Sequence, residues 1–241
     1  MVFKNIYAMS KYLTFPVCLL KGCTIDLRDS LNNVMDYALY VAAIDLDDKE
    51  RLEKAEKIVC IQYKNLQRSY SNGKVVFDSL PNVTPKTSIT KEIIMDFYNN
   101  HKTEFEIIVF LVFAAIRSII QKQAYVKKIT NEYIFGRMSG NNGNGNPIST
   151  ELIKYNTRHN FNKIKFELQN KWGLKLYAHH TRGYYLSFRL TIDKLILQAE
   201  MDRKIYHEKL LKDAKIDARN AALKAIYGKS TIATPIIRDL F

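Results

Sequence analysis

The chain has 241 residues, 47% of them hydrophobic; that is enough apolar material for a real core and excludes wholesale disorder. Lys and Arg number 37 against 24 Asp and Glu, a formal charge of +13, which favours a polyanion as partner: DNA, RNA or an acidic surface. The longest apolar run, Ile107 to Ile116, is too short for a membrane span, which needs about 18 residues or more, so no membrane partner is expected.

Residues 13–20 (LTFPVCLL) read as an extended apolar lead-in, since Pro16 bars a helix. Asp26 or Asp29 caps the next segment, where Leu27, Leu31, Val34, Ala38 and Val41 mark one helical face. A second helix is expected from Asp47 to about Leu66, striped by Leu52, Ala55, Val59, Tyr63 and Leu66. Residues 71–88 (SNGKVVFDSLPNVTPKTS) read as a loop with a short strand at Lys74–Phe77, and as a soft domain boundary. A short helix over 90–99 follows, capped by Ser88 or Thr90.

Residues 103–121 (TEFEIIVFLVFAAIRSIIQ) are apolar almost all the way round, so this helix must be covered on several sides and is central to its domain. Residues 124–129 form a short extended piece, and Thr130 caps a helix over 131–138 that ends at Gly140. The Gly- and Asn-rich GNNGNGNP stretch, 140–147, marks a mobile loop. Ser149 or Thr150 opens residues 151–156, and a longer helix runs over 157–171 to Trp172-Gly173. Alternation then predicts strands at 174–179 and 183–190, turned by His180-Thr181-Arg182-Gly183, the only clear hairpin expected in the chain. Residues 191–227 read as one long helix, charged beyond Met201, followed by a tail without a clear period.

The expected class is therefore mainly α. It comprises a helical N-terminal region (1–88), a helix-and-hairpin domain (89–190), and a C-terminal helix with its tail (191–241). The order after Thr103 is helix, extended piece, helix, helix, hairpin. It resembles the winged helix-turn-helix superfamily over about 88 of the 241 residues. The resemblance implies that the third helix enters the major groove of DNA, while the hairpin wing touches backbone or minor groove. One departure is that GNNGNGNP separates the second and third helices, where a turn of about three or four residues is usual. An alternative takes residues 150–156 as a very short second helix.

Charge placement supports this order. Across residues 150–191 there are eight cations (Lys154, Arg158, Lys163, Lys165, Lys171, Lys175, Arg182, Arg189) and two anions, Glu151 and Glu167. In the 157–171 helix, Phe161, Ile164 and Leu168 share a face that should pack on the central helix. The opposite face carries His159, Asn162, Lys163, Phe166, Gln169 and Asn170. Asn and Gln can pair with adenine edges and Lys can donate to guanine, whereas Arg158, Lys165 and Lys171 flank that face where phosphates would lie. Arg182 is the natural wing tip. Phe166 is expected to pack against another part of the protein.

Several readings are set aside. His179 and His180 are adjacent on a strand and so point to opposite faces, with no third ligand in view, so no metal is expected. Asp45, Asp47 and Asp48 read as a solvated turn rather than a nuclease centre. There is no phosphate-cradling glycine loop, no HExxH and no GxSxG; neither catalytic residues nor a cofactor are expected. Three unpaired cysteines (Cys18, Cys23, Cys60) and an N-terminus without an apolar signal segment point to the cytoplasm. The expectation is a double-stranded-DNA-binding protein, a transcription regulator or replication-initiation factor. The N-terminal or C-terminal helices would serve a protein partner or self-association. A scaffold protein whose module binds protein, and an RNA-binding protein that stacks bases on some of its fifteen tyrosines and twelve phenylalanines, are the rival expectations.

Overall fold

The computed structural model describes residues 11–46, 50–81, 84–121, 125–140, 148, 150–178 and 183–227. The protein is mainly helical, and it divides into two units, residues up to Ile192 and residues from Asp193 onward.

The first unit opens with strand β1 (Tyr12–Pro16), and a 3₁₀ turn over Val17–Leu20 completes the apolar lead-in. Helix α1 (Leu27–Ile44) begins where Asp26 accepts the Asp29 N–H at 2.9 Å, satisfying one of the donors a helix start leaves free. Helix α2 (Arg51–Val59) stops at Cys60, which sits in the left-handed region at φ 51°. Among the described residues the helix expected over 47–66 is thus helical only as far as Val59, and a connection over 60–65 leads to the next helix at Leu66. The residue that prolonged the expected stripe, Tyr63, lies in the connection. It donates its hydroxyl to the Met35 carbonyl at 2.7 Å, and its backbone N–H bonds Glu56.

Helix α3 (Leu66–Asp78) replaces the loop and strand expected from residue 71. Gly73 is the reason that segment misleads. It lies inside α3 against α1, where a Cβ would run into the Asp36 backbone carbonyl, so a residue that locally weakens a helix permits two helices to touch. Tyr40 then packs on Tyr70 and Phe77 with ring centroids 5.2 Å apart in both cases. The strand of this region is β2 (Lys86–Thr90), which pairs antiparallel with β1, Leu13 opposite Ile89 and Phe15 opposite Thr87. This two-stranded sheet adds to the expected hairpin. The same buried cluster takes in Leu13 and Phe15, Leu31 and Val34, and Ile108 to Ile116, so the core continues across residues 71–88.

Helix α4 (Lys91–Asn99) leads into α5 (Glu104–Ile120). A reciprocal cap starts α5: the Glu106 N–H donates to the Thr103 hydroxyl, and the Thr103 N–H to the Glu106 carboxylate at 2.9 Å. Those bonds hold the Glu106 carboxyl below its ordinary pKa. Eleven of the seventeen residues of α5 are buried, in keeping with an apolar surface on every side. Strand β3 (Val126–Ile129) and helix α6 (Asn131–Met138) follow, and Thr130 caps α6 as expected. Then come the single turn α7 (Thr150–Ile153), α8 (Arg158–Lys171), and strands β4 (Lys175–Tyr177) and β5 (Tyr184–Ser187). The extended piece at 126–129 joins the hairpin to make a three-stranded sheet in the order β3-β5-β4, with β5 in the centre.

The second unit carries α9 (Ile192–Tyr227), a single continuous helix as expected. Leu197, Met201, Ile205, Leu210, Leu211 and Ile216 are exposed along it. The tail beyond Tyr227 lies outside the described residues. Among the described residues no helix is long and apolar enough to cross a membrane.

Candidate nucleic-acid interface

The candidate surface is the outer face of α8. Its placement begins with Phe161, Ile164 and Leu168, all at most 1% exposed, which fix the inner face as the sequence periodicity requires. Phe161 makes tilted ring contacts with Phe135 of α6, centroids 5.3 Å apart, and with Tyr184 of β5 at 6.4 Å. Helices α6 and α8 therefore meet through the Phe135–Phe161 pair, although the connection between them is long and includes the single turn α7. Just past the C-terminal end, Trp172 lies on Phe113 of α5 at 4.4 Å. At the other end Thr157 accepts the Asn160 N–H at 3.3 Å, and the Asn160 side chain donates to the Lys154 carbonyl at 2.6 Å. Tyr184 donates its hydroxyl to Asn131 at 2.7 Å, tying the central strand to the start of α6. Burial raises the pKa of that hydroxyl, so it stays a donor.

With the inner face fixed, Arg158, His159, Asn162, Lys163, Phe166, Gln169, Asn170 and Lys171 are exposed. Among the described residues, the side-chain amides of Asn162 and Gln169 have no hydrogen-bond partner. Phe166 is 64% exposed, which corrects the expectation that it packs: it projects from the centre of the bare face rather than into the fold. Together with Phe105 at the start of α5, the residues His159, Asn162, Lys163, Phe166 and Glu167 line an open hollow of about 430 Å³.

The cations differ in what they are free to do. Arg158 and Lys163 on α8, Lys175 on β4 and Arg189 beyond β5 are exposed. Lys171 pairs with Glu167 at 2.6 Å, one turn away, and Lys154 with Glu104 at 2.7 Å. Lys165 does something else. Its ammonium lies over the rings of Tyr184 at 4.3 Å and Phe161 at 5.1 Å, half-buried between helix and hairpin, and burial lowers its pKa. The helical wheel puts Lys165 on the flank but cannot show that the hairpin lies over that flank. Arg182, the expected wing tip, lies with His179 and His180 outside the described residues, as do residues 141–147 of the Gly/Asn-rich stretch and Asp47 and Asp48.

No group of three or more His, Cys, Asp or Glu side chains that could hold a metal occurs among the described residues. The cysteines are free; burial pushes the Cys23 thiol up to about 12, so it is an inert part of the core rather than a nucleophile. No protein family, curated protein or solved structure matches the chain.

Proposed function

We propose that residues 103–190 are a winged-helix module that binds duplex DNA, with α8 in the major groove and the β4–β5 hairpin as the wing. The observation that carries this reading is the two-sidedness of α8. A helix fixed on one side by Phe161, Ile164 and Leu168 presents a bare row of cations and amides on the other. An α-helix fits the major groove, amide side chains read base edges there, and cations on the rim anchor phosphates. The element order and the β3-β5-β4 sheet support the same reading. A protein of this kind acts in the cytoplasm as a transcription regulator or a replication-initiation factor, in keeping with its free thiols.

Titrating the full chain against labelled duplex DNA, duplex RNA and single strands, over about 50 to 200 mM salt, tests the reading. Binding to duplex DNA is expected at low salt and should weaken steeply as salt rises, since each neutralised phosphate releases counterion. No binding at the lowest salt sinks it. Tighter binding to single strands or RNA moves the function to RNA. One observation favours the rival in which the module binds a protein: Phe166 stands exposed beside the hollow on α8. That rival predicts duplex affinity indifferent to salt and to the cations of α8.

A further inference from the structure

Phe166 is the one apolar residue exposed on the α8 face, and phosphate binding leaves it without a role. At about 100° per residue it stands opposite the buried stripe of Phe161, Ile164 and Leu168, so in a groove-bound helix it points at the base pairs and not at the backbone. Its neighbours on that line are Asn162, four residues before, and Gln169, three residues after. With a rise of about 1.5 Å per residue the row spans about 10 Å, the length of about three base pairs at 3.4 Å each. An apolar ring in the major groove has one apolar group to meet, the C5-methyl of thymine, and amides in the same groove pair bidentately with adenine. Both signals belong to one base pair.

We infer that the Asn162–Phe166–Gln169 row of α8 selects A·T base pairs, with Phe166 reading a thymine methyl and an amide beside it reading adenine. This rests on the DNA reading proposed above. The ring stays on the surface because its contact lies on the ligand. Exposed in the free protein, it loses its water shell only when a methyl group fills the space beside it.

The experiment removes the methyl group and nothing else. A preferred duplex is first selected from random sequences with the full chain, and each thymine in it is then replaced singly by uracil. At one or two positions uracil should weaken wild-type binding about three- to five-fold, the size expected for one buried methyl. Phe166→Ala should bind the thymine and uracil duplexes equally well, and Phe166→Leu should restore part of the difference. Asn162→Ala should relax the preference for adenine next to that position, leaving binding to unrelated duplexes unchanged. Thermal unfolding of each variant should match wild type, since the side chains are exposed. Selection of a G·C-rich site, or uracil without effect at every position, overturns the inference while leaving DNA binding in place; so does an equal uracil effect in wild type and Phe166→Ala. A chain that binds no duplex overturns the DNA reading, and this one with it.

Discussion

Helices α5 and α8 are similar in length, and both are held in the same core, yet they are built to opposite ends. Helix α5 is covered on nearly every side: Ile108, Phe110, Val112 and Ala114 are fully buried. Helix α8 keeps Phe161, Ile164 and Leu168 inside and leaves most of its other residues in water. Covering α5 all round takes its side chains out of the reach of any ligand and turns them into stability. Baring half of α8 gives up that stability and leaves amides, cations and a phenyl ring able to bind groups outside the protein.

The largest test of this contrast is a pair of identical substitutions. Phe110 is fully buried and stacks on Phe97 with centroids 4.4 Å apart. Phe110→Ala should cost about 3–5 kcal/mol of unfolding free energy, from the forfeited transfer energy and the cavity left behind. Phe166→Ala should stay within about 0.5 kcal/mol of wild type. Urea unfolding of both variants measures it. Comparable losses in the two would mean that Phe166 has a partner in the folded protein.

Both sides of the contrast were legible in the sequence because both are periodic. The unbroken apolar run of α5 and the Phe161–Ile164–Leu168 stripe each announce how much of a helix is covered. What periodicity does not carry is long-range pairing. Strands β1 and β2 form one sheet from segments more than seventy residues apart, as in the Thr14–Ser88 hydroxyl bond of 2.8 Å, and no local turn links them. Gly73 shows a second limit: Ser-Asn-Gly-Lys has the composition of a turn, and only the approach of α1 makes a helical glycine favourable there. At the site, the wheel placed the exposed polar residues of α8 on the outer face, where the structure has them. It could not tell a lysine in water from one roofed by a hairpin, nor an exposed phenylalanine from a packed one, because that depends on what lies beyond the helix.

The second prediction concerns affinity. Arg158 and Lys163 are exposed cations on α8. Replacing both with Ala should weaken duplex DNA binding about ten-fold at low salt and make the logarithmic salt dependence shallower by about two units, one for each phosphate no longer neutralised. Folding stability should hold. An unchanged salt slope would take α8 off the phosphate backbone and weaken the contrast from the functional side.

A smaller effect of opposite sign comes from Glu167, the one anion of α8. It neutralises Lys171 through a 2.6 Å pair. Glu167→Gln should free that cation and remove a charge that repels phosphate, tightening non-specific binding about two- to three-fold, in the range of one exposed ion pair. Weaker binding by the variant would show that Glu167 makes a favourable bond of its own to the DNA, such as accepting from a cytosine amino group.

Lys165 sits on the border between the two sides of α8 and should give the most divided response. Its side chain over Tyr184 and Phe161 joins helix to hairpin, and the apolar contact of its methylene stem there is worth about 0.8 kcal/mol, the size of one buried CH2. Lys165→Ala should therefore lower stability by about that amount, while changing DNA affinity far less than Lys163→Ala does. The pH dependence has a definite sign. Burial holds the folded-state pKa of Lys165 below the ordinary lysine value, so between that lowered value and about 10.5 the unfolded chain binds more protons than the folded one. Stability from this group must then rise with pH across that window. Tyr184 works in the other direction, because its raised pKa makes the folded state the one that retains a proton above about pH 10. The two are separated by comparison with Lys165→Met, which keeps an unbranched chain in the same place without the charge. Relative to this variant, wild type should gain stability as pH climbs through the lysine window. If Lys165→Ala instead loses affinity as Lys163→Ala does and leaves stability and its pH dependence untouched, Lys165 belongs to the bare face, and the border between packing and binding on α8 runs one residue further in.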